Sequence, residues 1–85
     1  MNSQYVVVIV HSFEHDTPVY TFGDDYERAK NFLSEKWKEY YDEEVENNSW
    51  LDEIDCFCED EYGKVTWSDG NYTEFILSYT SNPND

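Results

Sequence analysis

Between Asp24 and Asn47, apolar residues recur every three or four positions, and this spacing predicts one long helix. At about 100° per residue, the apolar and aromatic side chains of this stretch gather on one side. They are Tyr26, Ala29, Leu33, Trp37 and Tyr40, with Tyr41 at the edge. Asp24 is the expected N-cap, because Glu27 follows three residues later as in a capping box. The helix should therefore bury an aromatic stripe.

A line of acidic residues lies almost opposite this stripe, and we call it the helix row. Its members are Glu35, Glu39, Asp42 and Glu46. Their spacings of four, three and four residues predict one row, with carboxylates about 4.5–6 Å apart along the axis. The same helix should thus present negative charge to solvent.

Period-two patterns and turn residues predict five strands around this helix. They are Tyr5–His11, Val19–Phe22, Ile54–Glu59, Lys64–Trp67 and Tyr72–Tyr79. The order ββαβββ predicts a two-layer α+β fold, in which the single helix packs on a mostly antiparallel sheet. We expect residues 1–80 to form one domain and residues 81–85 to be a disordered tail.

The register of the last hairpin depends on its loop. A two-residue Asp69–Gly70 turn would place Val65 and Trp67 on the opposite face from Phe75. A three-residue loop, Asp69 to Asn71, would place them on the same face, and we prefer it because Asn tolerates a left-handed conformation at its third position.

The first strand is apolar on both faces, which is typical of a central strand covered twice. One helix can cover only one face. We therefore consider that Tyr5, Val7, Ile9 and Phe57 form a surface for a homodimer or another partner. The alternative is that loops and the aromatic tail cover this surface.

Composition favours a folded, very acidic protein. Sixteen aromatic residues (eight Tyr, five Phe and three Trp) can build a core in 85 residues. The formal net charge of −15 would repel nucleic acid and anionic membranes, and would attract basic protein surfaces or divalent cations. The apolar run after the N-terminus is too short for a signal peptide, and only two cysteines occur. We expect a cytoplasmic protein.

Few residues suggest site chemistry. His11 and His15 lie four apart, but in strand and loop this spacing is too long for a metal pair. Cys56 and Cys58 could bind zinc or copper only with further ligands, and neighbouring acids should raise their pKa values. The acidic runs 42–46 and 59–61 lack the spacing of an EF-hand loop. We expect no enzymatic activity, cofactor or tight metal site.

The remaining feature is the acidic surface. Between Glu35 and Glu61 there are twelve acids in twenty-seven residues. Asp52, Glu53 and Asp55, together with Glu59–Glu61, could form a second row beside the helix row, and Trp50 could anchor a partner there. One DNA strand carries a charge about every 3.4 Å of axis, so the combined rows could imitate a phosphate backbone. The alternative is a solvated acidic face without a partner.

In size, charge and its acid-lined helix DDYERAKNFLSEKWKEYYDEEVEN, the chain resembles the small acidic proteins of bacterial phages and mobile elements. Some of these mimic DNA and inhibit restriction, CRISPR or other DNA-binding enzymes. The resemblance implies a non-enzymatic inhibitor whose partner is a basic DNA-binding protein, but it transfers no site residue. The opening YVVVIVHSF with TPVYTF also resembles uncharacterised short Firmicutes-type proteins.

Two further functions remain open from the sequence. The first is a structural or protein-interaction module that assembles through the apolar sheet face, with acidity serving solubility. The second is a protein that binds calcium or a transition metal.

Overall fold

The structure is a computed structural model that describes residues 3–47 and 50–81, and it confirms the predicted α+β fold. The elements are β1 (Ser3–His11), β2 (Val19–Thr21), α1 (Tyr26–Glu46), a 3₁₀ turn (Glu53–Asp55), β3 (Phe57–Cys58), β4 (Tyr62–Thr66) and β5 (Tyr72–Ser81). The sheet order is β2-β1-β5-β4-β3, and all of these pairs are antiparallel. The helix covers one face of this sheet.

The helix begins one residue later than its sequence suggested. Asp25, rather than Asp24, is the N-cap, and its carboxylate accepts a 3.0 Å hydrogen bond from the backbone N–H of Arg28. The Asp25 N–H donates to the carbonyl of Phe22, so the turn through Gly23, which has φ of 60°, includes Asp24. The N-cap prediction was therefore wrong by one position, whereas the helix itself is confirmed.

The predicted aromatic stripe packs on the sheet. Val7, Ile9, Ala29, Leu33, Val65, Phe75 and Leu77 form the buried core, and Tyr26, Trp37, Tyr40 and Tyr41 pack against it. The indole N–H of Trp37 donates to the Lys64 carbonyl at 3.0 Å, and the rings of Tyr40 and Phe75 lie 5.8 Å apart. These contacts fix the rotation of α1 about its axis, and therefore which residues face solvent.

Gly63 is buried because Trp37 packs directly on its Cα. A Cβ at this position would lie 2.8 Å from Cδ1 of Trp37, closer than real Cβ contacts. We expect Gly63→Ala to destabilise the fold by about 1–3 kcal/mol, the usual effect of overpacking. Urea unfolding would measure this, with Trp37→Leu as the background in which the alanine should cost much less. If Gly63→Ala stabilised the chain, as strand propensity alone would suggest, the packing account would be wrong.

The helix covers the face of β1 that the sequence analysis had left for a partner. Val7 is fully buried and Ile9 is 8% exposed, and both lie under the helix with Tyr5. They cannot form a partner surface. Phe57 does point outward from the sheet, because its pairing with Lys64 sets it on the opposite face from Gly63 and Val65.

The outward face, which we call the outer sheet face, is built from alternate residues of all five strands. Its apolar members are Val6, Val8, Val10, Val19, Phe57, Tyr62 and Ile76, as the strand registers require. The prediction that β1 is apolar on both faces is thus correct, but the face away from the helix carries Val6, Val8 and Val10. Val8 and Val10 are half-buried there, and Val6 is only 7% exposed.

Because of Tyr62 on this face, the free energy of unfolding should depend on pH in the alkaline range. Burial and then the hydrogen bond to the Glu74 carboxylate raise the pKa of Tyr62 to about 12. Because the folded state favours the protonated phenol, this contribution is complete below about pH 10 and is lost between about pH 10 and 12. The difference in unfolding free energy between the parent chain and Tyr62→Phe should therefore shrink across that window. A difference that stays constant would contradict this.

The predicted strand Ile54–Glu59 is largely wrong. Residues 53–55 form the 3₁₀ turn, only Phe57–Cys58 pair with β4, and Ile54 is 92% exposed. The turn interrupts the period-two pattern, so Ile54 does not share a face with the thiols. Cys56 and Cys58 both pack against the core, as their alternation suggested.

The last hairpin has the predicted three-residue loop, shifted by one position. Trp67 and Asn71 pair through the Trp67 N–H and the Asn71 carbonyl, so the loop is 68–70. Gly70, with φ of 95°, takes the left-handed position in place of the predicted Asn71. Both loops give the same face, and Val65 and Phe75 are buried together as predicted. Ser81 belongs to β5, whereas the rest of the expected disordered tail lies outside the described residues.

Candidate acidic binding surface

The four members of the helix row are all exposed on the solvent side of α1. Their orientation follows from the opposite side of the helix, where Ala29 and Leu33 are completely buried. Because both faces belong to one regular helix, the row cannot rotate without removing Leu33 from the core. The carboxylates are therefore held on a rigid element, although each side chain remains solvated.

One member of the helix row, Glu39, forms an ion pair with a lysine. The Lys36 ammonium lies 3.5 Å from the Glu39 carboxylate, and the Glu39 side chain is 71% exposed. Such a solvent-exposed pair contributes only about 0–1 kcal/mol, so Glu39 stays available to a cation of higher charge density. Lys38 is exposed on the same helix.

Apolar surface borders the helix row on its β2 side. A groove of about 800 Å³ between β2 and α1 brings Glu35 beside Val19, Tyr20 and Phe32. Val19 is 56% exposed and Tyr20 is 38% exposed, and the Tyr20 ring packs on Phe32 at 4.7 Å. A partner that binds the carboxylates would therefore also cover aromatic surface.

Asp52, Glu53 and Asp55 lie on the other flank of the helix. The segment that carries them is tied to β4, since the Asp52 N–H donates to the Thr66 carbonyl at 2.8 Å and the Thr66 hydroxyl donates to the Asp55 carbonyl at 3.1 Å. Trp37 and Tyr41, whose rings stack at 5.0 Å, stand on this flank. The three acids therefore do not extend the helix row in line.

Tyr41 connects the two acidic groups. Its pKa is raised first by burial, and then by the negative charge of Glu53 and, to a smaller extent, that of Asp42. Asp42 of the helix row and Glu53 of the 3₁₀ turn are thus both close enough to act on one phenol. The helix row and the 3₁₀ turn therefore approach each other at Tyr41.

Glu59–Glu61 do not join this surface. Glu61 and Asp60 raise the pKa of Tyr26, after burial, and Tyr26 begins the helix. The turn between β3 and β4 therefore lies at the opposite end of α1 from Glu46. The sequence-based expectation that these acids would thicken the row is not met.

Trp50 projects beside the hairpin loop. It is 83% exposed, and its carbonyl accepts a hydrogen bond from the Ser68 N–H. A shallow cavity links its ring to Trp67 and Asp69. Ile54, which the sequence suggested would be half-buried, is exposed on the same segment. The acidic segment 50–55 thus exposes two large apolar side chains, of which the sequence predicts only Trp50.

The candidate metal ligands are not brought together. The Nδ1 atom of His11 lies 2.8 Å from the Thr73 hydroxyl, and the His11 ring packs on Phe13, whereas His15 is in the following loop. Within residues 3–47 and 50–81, no group of three or more His, Cys, Asp or Glu side chains is arranged to hold a metal ion.

The surroundings of the two thiols favour their neutral form. Burial, more than the flanking acids, raises the pKa values of Cys56 and Cys58. The Cys56 sulfur also exchanges hydrogen bonds with the backbone of Thr66. Thiols held in the neutral form are weak nucleophiles and weak metal ligands.

Comparisons of the chain with protein-family models, with curated proteins and with solved structures found no match. In the part of the chain that the structure describes, no helix has the length and apolar character needed to cross a membrane. The functional argument therefore depends on the surface itself.

Proposed function

We propose that this chain is a non-enzymatic inhibitor that binds a basic DNA-binding protein by imitating the phosphate backbone of DNA. The observation that carries the proposal is the helix row, four exposed carboxylates on one side of a helix whose other side is locked into the core. A formal net charge of −15 adds a field that steers basic surfaces toward it.

The spacing of the row suits a groove that binds nucleic acid. Glu35 and Glu46 are eleven positions apart, which is about 16 Å along the helix axis. Over the same distance one DNA strand presents about five phosphates, compared with four carboxylates in the row. A Lys- and Arg-lined groove could pair with these carboxylates and release counterions from both surfaces.

The neighbouring residues have distinct roles in this proposal. Asp52, Glu53 and Asp55 meet basic side chains at the rim of the groove, on the far side of Tyr41. Trp50, which is 83% exposed, supplies an aromatic anchor. Aromatic anchors next to charged contacts dominate the binding energy of many protein interfaces.

The proposed setting is the bacterial cytoplasm, where DNA-binding enzymes act and free thiols persist. A protein from a phage or mobile element would gain from blocking such an enzyme. The protein contributes no chemical step, because binding alone excludes DNA from the occupied groove.

Capture of partners on immobilised protein tests the proposal. A bacterial lysate is passed over the protein, and retained material is eluted separately with high salt and with duplex DNA. We expect a DNA-binding protein that is released by both. Retention that salt reverses but duplex DNA does not would contradict mimicry, because the two ligands would then occupy different sites on the partner.

A further inference from the structure

The outer sheet face differs from the rest of the molecule in its charge. From Gln4 to Ser78, the outward positions of the five strands carry only two charged residues, Lys64 and Glu74. These two stand directly opposite each other on neighbouring strands, so the face is neutral as a whole. On a chain with a formal net charge of −15, a neutral face of this size is exceptional.

Both charged groups are also partnered within the face. Glu74 accepts a hydrogen bond from the Tyr62 hydroxyl, and the Lys64 ammonium lies 5.2 Å from the centre of the Tyr72 ring. Because Lys64 and Glu74 have opposite charges and occupy directly paired positions, covering both would leave no net buried charge.

The centre of the face is apolar. Val8 and Ile76 are directly paired on the adjacent strands β1 and β5, and Tyr62 pairs with Ile76 on its other side. Val6 and Val10 flank Val8 along β1. The long helix packs against the opposite face and does not cover this apolar centre. Val8, Val10, Tyr62 and Ile76 are half-buried there, whereas Val6 is only 7% exposed.

We propose that the outer sheet face binds the same face of a second copy of this chain, which gives a back-to-back dimer with four layers, helix–sheet–sheet–helix. The inference goes beyond the proposed phosphate mimicry and does not depend on it, since the helix row lies on the other side of the sheet.

Charge explains why a second copy fits better than a basic partner. A basic protein is drawn toward the acidic surface of α1 rather than toward a neutral face. Packed sheets lie about 10 Å apart, and each helix lies about 10 Å beyond its sheet, so the two helices would be about 30 Å apart. This distance is several Debye lengths at physiological salt, where the screening length is about 8 Å. Two molecules of charge −15 can therefore join here without bringing their acidic helices together.

The available area predicts a dimer of moderate affinity. Five strands at about 4.8 Å spacing, which average roughly 20 Å in length because β1 and β5 are long and β2 and β3 short, give about 500 Å² for each copy. The total of about 1,000 Å² lies at the low end of specific interfaces. We expect a dissociation constant in the micromolar range. The dimer should be weaker at low salt, where screening of the remaining repulsion is incomplete.

Sedimentation velocity over protein concentrations of about 1–500 μM tests this proposal. We expect the parent chain to change with concentration from 10.2 kDa to twice that mass. Val8→Lys and Ile76→Lys each place like charges near the two-fold axis, so each should weaken dimerisation at least tenfold. Val45→Lys is the matched control, because Val45 is 48% exposed on α1, and it should dimerise like the parent.

Circular dichroism shows whether each variant folds, and either of the two face variants is sufficient if the other does not. A parent chain that stays monomeric throughout this range would overturn the proposal. So would a dimer that both folded face variants leave unchanged, because the contact would then lie elsewhere on the molecule.

Discussion

Reversal of three acids in the helix row is expected to abolish binding of the basic partner while the fold survives. The variant is Glu35→Lys/Glu39→Lys/Asp42→Lys. Each reversal adds two charges, so the formal net charge changes from −15 to −9. Three repulsive contacts would replace three attractive ones in the partner's groove, and we expect at least a hundredfold loss of affinity at about 0.15 M salt. Titration calorimetry with the partner retained from lysate would measure this loss.

The fold should tolerate these substitutions because none of the three side chains is buried. Lysine and glutamate have similar helix propensities, and the lost Lys36–Glu39 pair is exposed. Circular dichroism and the urea midpoint should therefore remain close to those of the parent chain.

A second variant separates the position of the charge from its amount. Glu14→Lys/Asp16→Lys/Glu59→Lys also gives a formal net charge of −9, and these three exposed residues lie outside the helix row. It should keep its affinity to within a few-fold. Equal losses in both variants would show that only net charge matters, and unchanged binding by the helix-row variant would remove the row as the binding site.

Truncation of Phe75 should have the largest effect on stability. Phe75 is 1% exposed in the middle of β5 and is in the core with Leu33, Val7 and Val65. Phe→Ala at such a site costs about 3–5 kcal/mol through lost transfer energy and a cavity. A domain of this length has a total stability of only about 4–13 kcal/mol. Phe75→Ala should therefore lower the urea midpoint severely, or leave much of the chain unfolded.

Phe13→Ala is the comparison for this measurement. Phe13 is 48% exposed, although its ring contacts His11 and Trp67. The same chemical truncation should cost about 1 kcal/mol or less there, as is usual for surface substitutions. Similar costs at the two positions would mean that the core is not organised around Phe75.

The helix was predictable because several independent signals agree over its length. The aromatic stripe repeats at helical spacing through about four turns, from Tyr26 to Tyr41, and Asp25 and Glu27 lie at the start of the helix. The N-cap was misassigned because Asp24 and Asp25 are adjacent and equally suitable. The turn at Gly23 determines that Asp25 is the N-cap. The helical spacing of apolar residues gives no information about this turn.

The buried face of β1 could not be read from its sequence. Val6, Val8 and Val10 are as apolar as Val7 and Ile9, so alternation alone leaves the two registers equivalent. The pairing of β1 with β5 decides the matter, because it aligns Val7 with Leu77 and Ile9 with Phe75. That pairing joins opposite ends of the chain, so local sequence patterns cannot predict it.

The candidate surface was predictable in one part and not in the other. The helix row follows from local spacing within α1, so its members could be identified directly. The position of Asp52 and Glu53 depends on how the chain returns to β4 after the helix, through the hydrogen bond from Asp52 to Thr66. Ile54 was misplaced for the same reason, because a 3₁₀ turn replaced the expected strand.

Displacement of DNA is the measurement that tests phosphate mimicry most directly. A fluorescently labelled duplex is bound to the retained partner, and this protein is added while fluorescence anisotropy is followed. The proposed function predicts that the duplex is displaced completely, and that the affinity of this protein falls steeply and linearly on a log–log plot against salt. A ternary complex, in which the duplex stays bound at saturating protein, would contradict it.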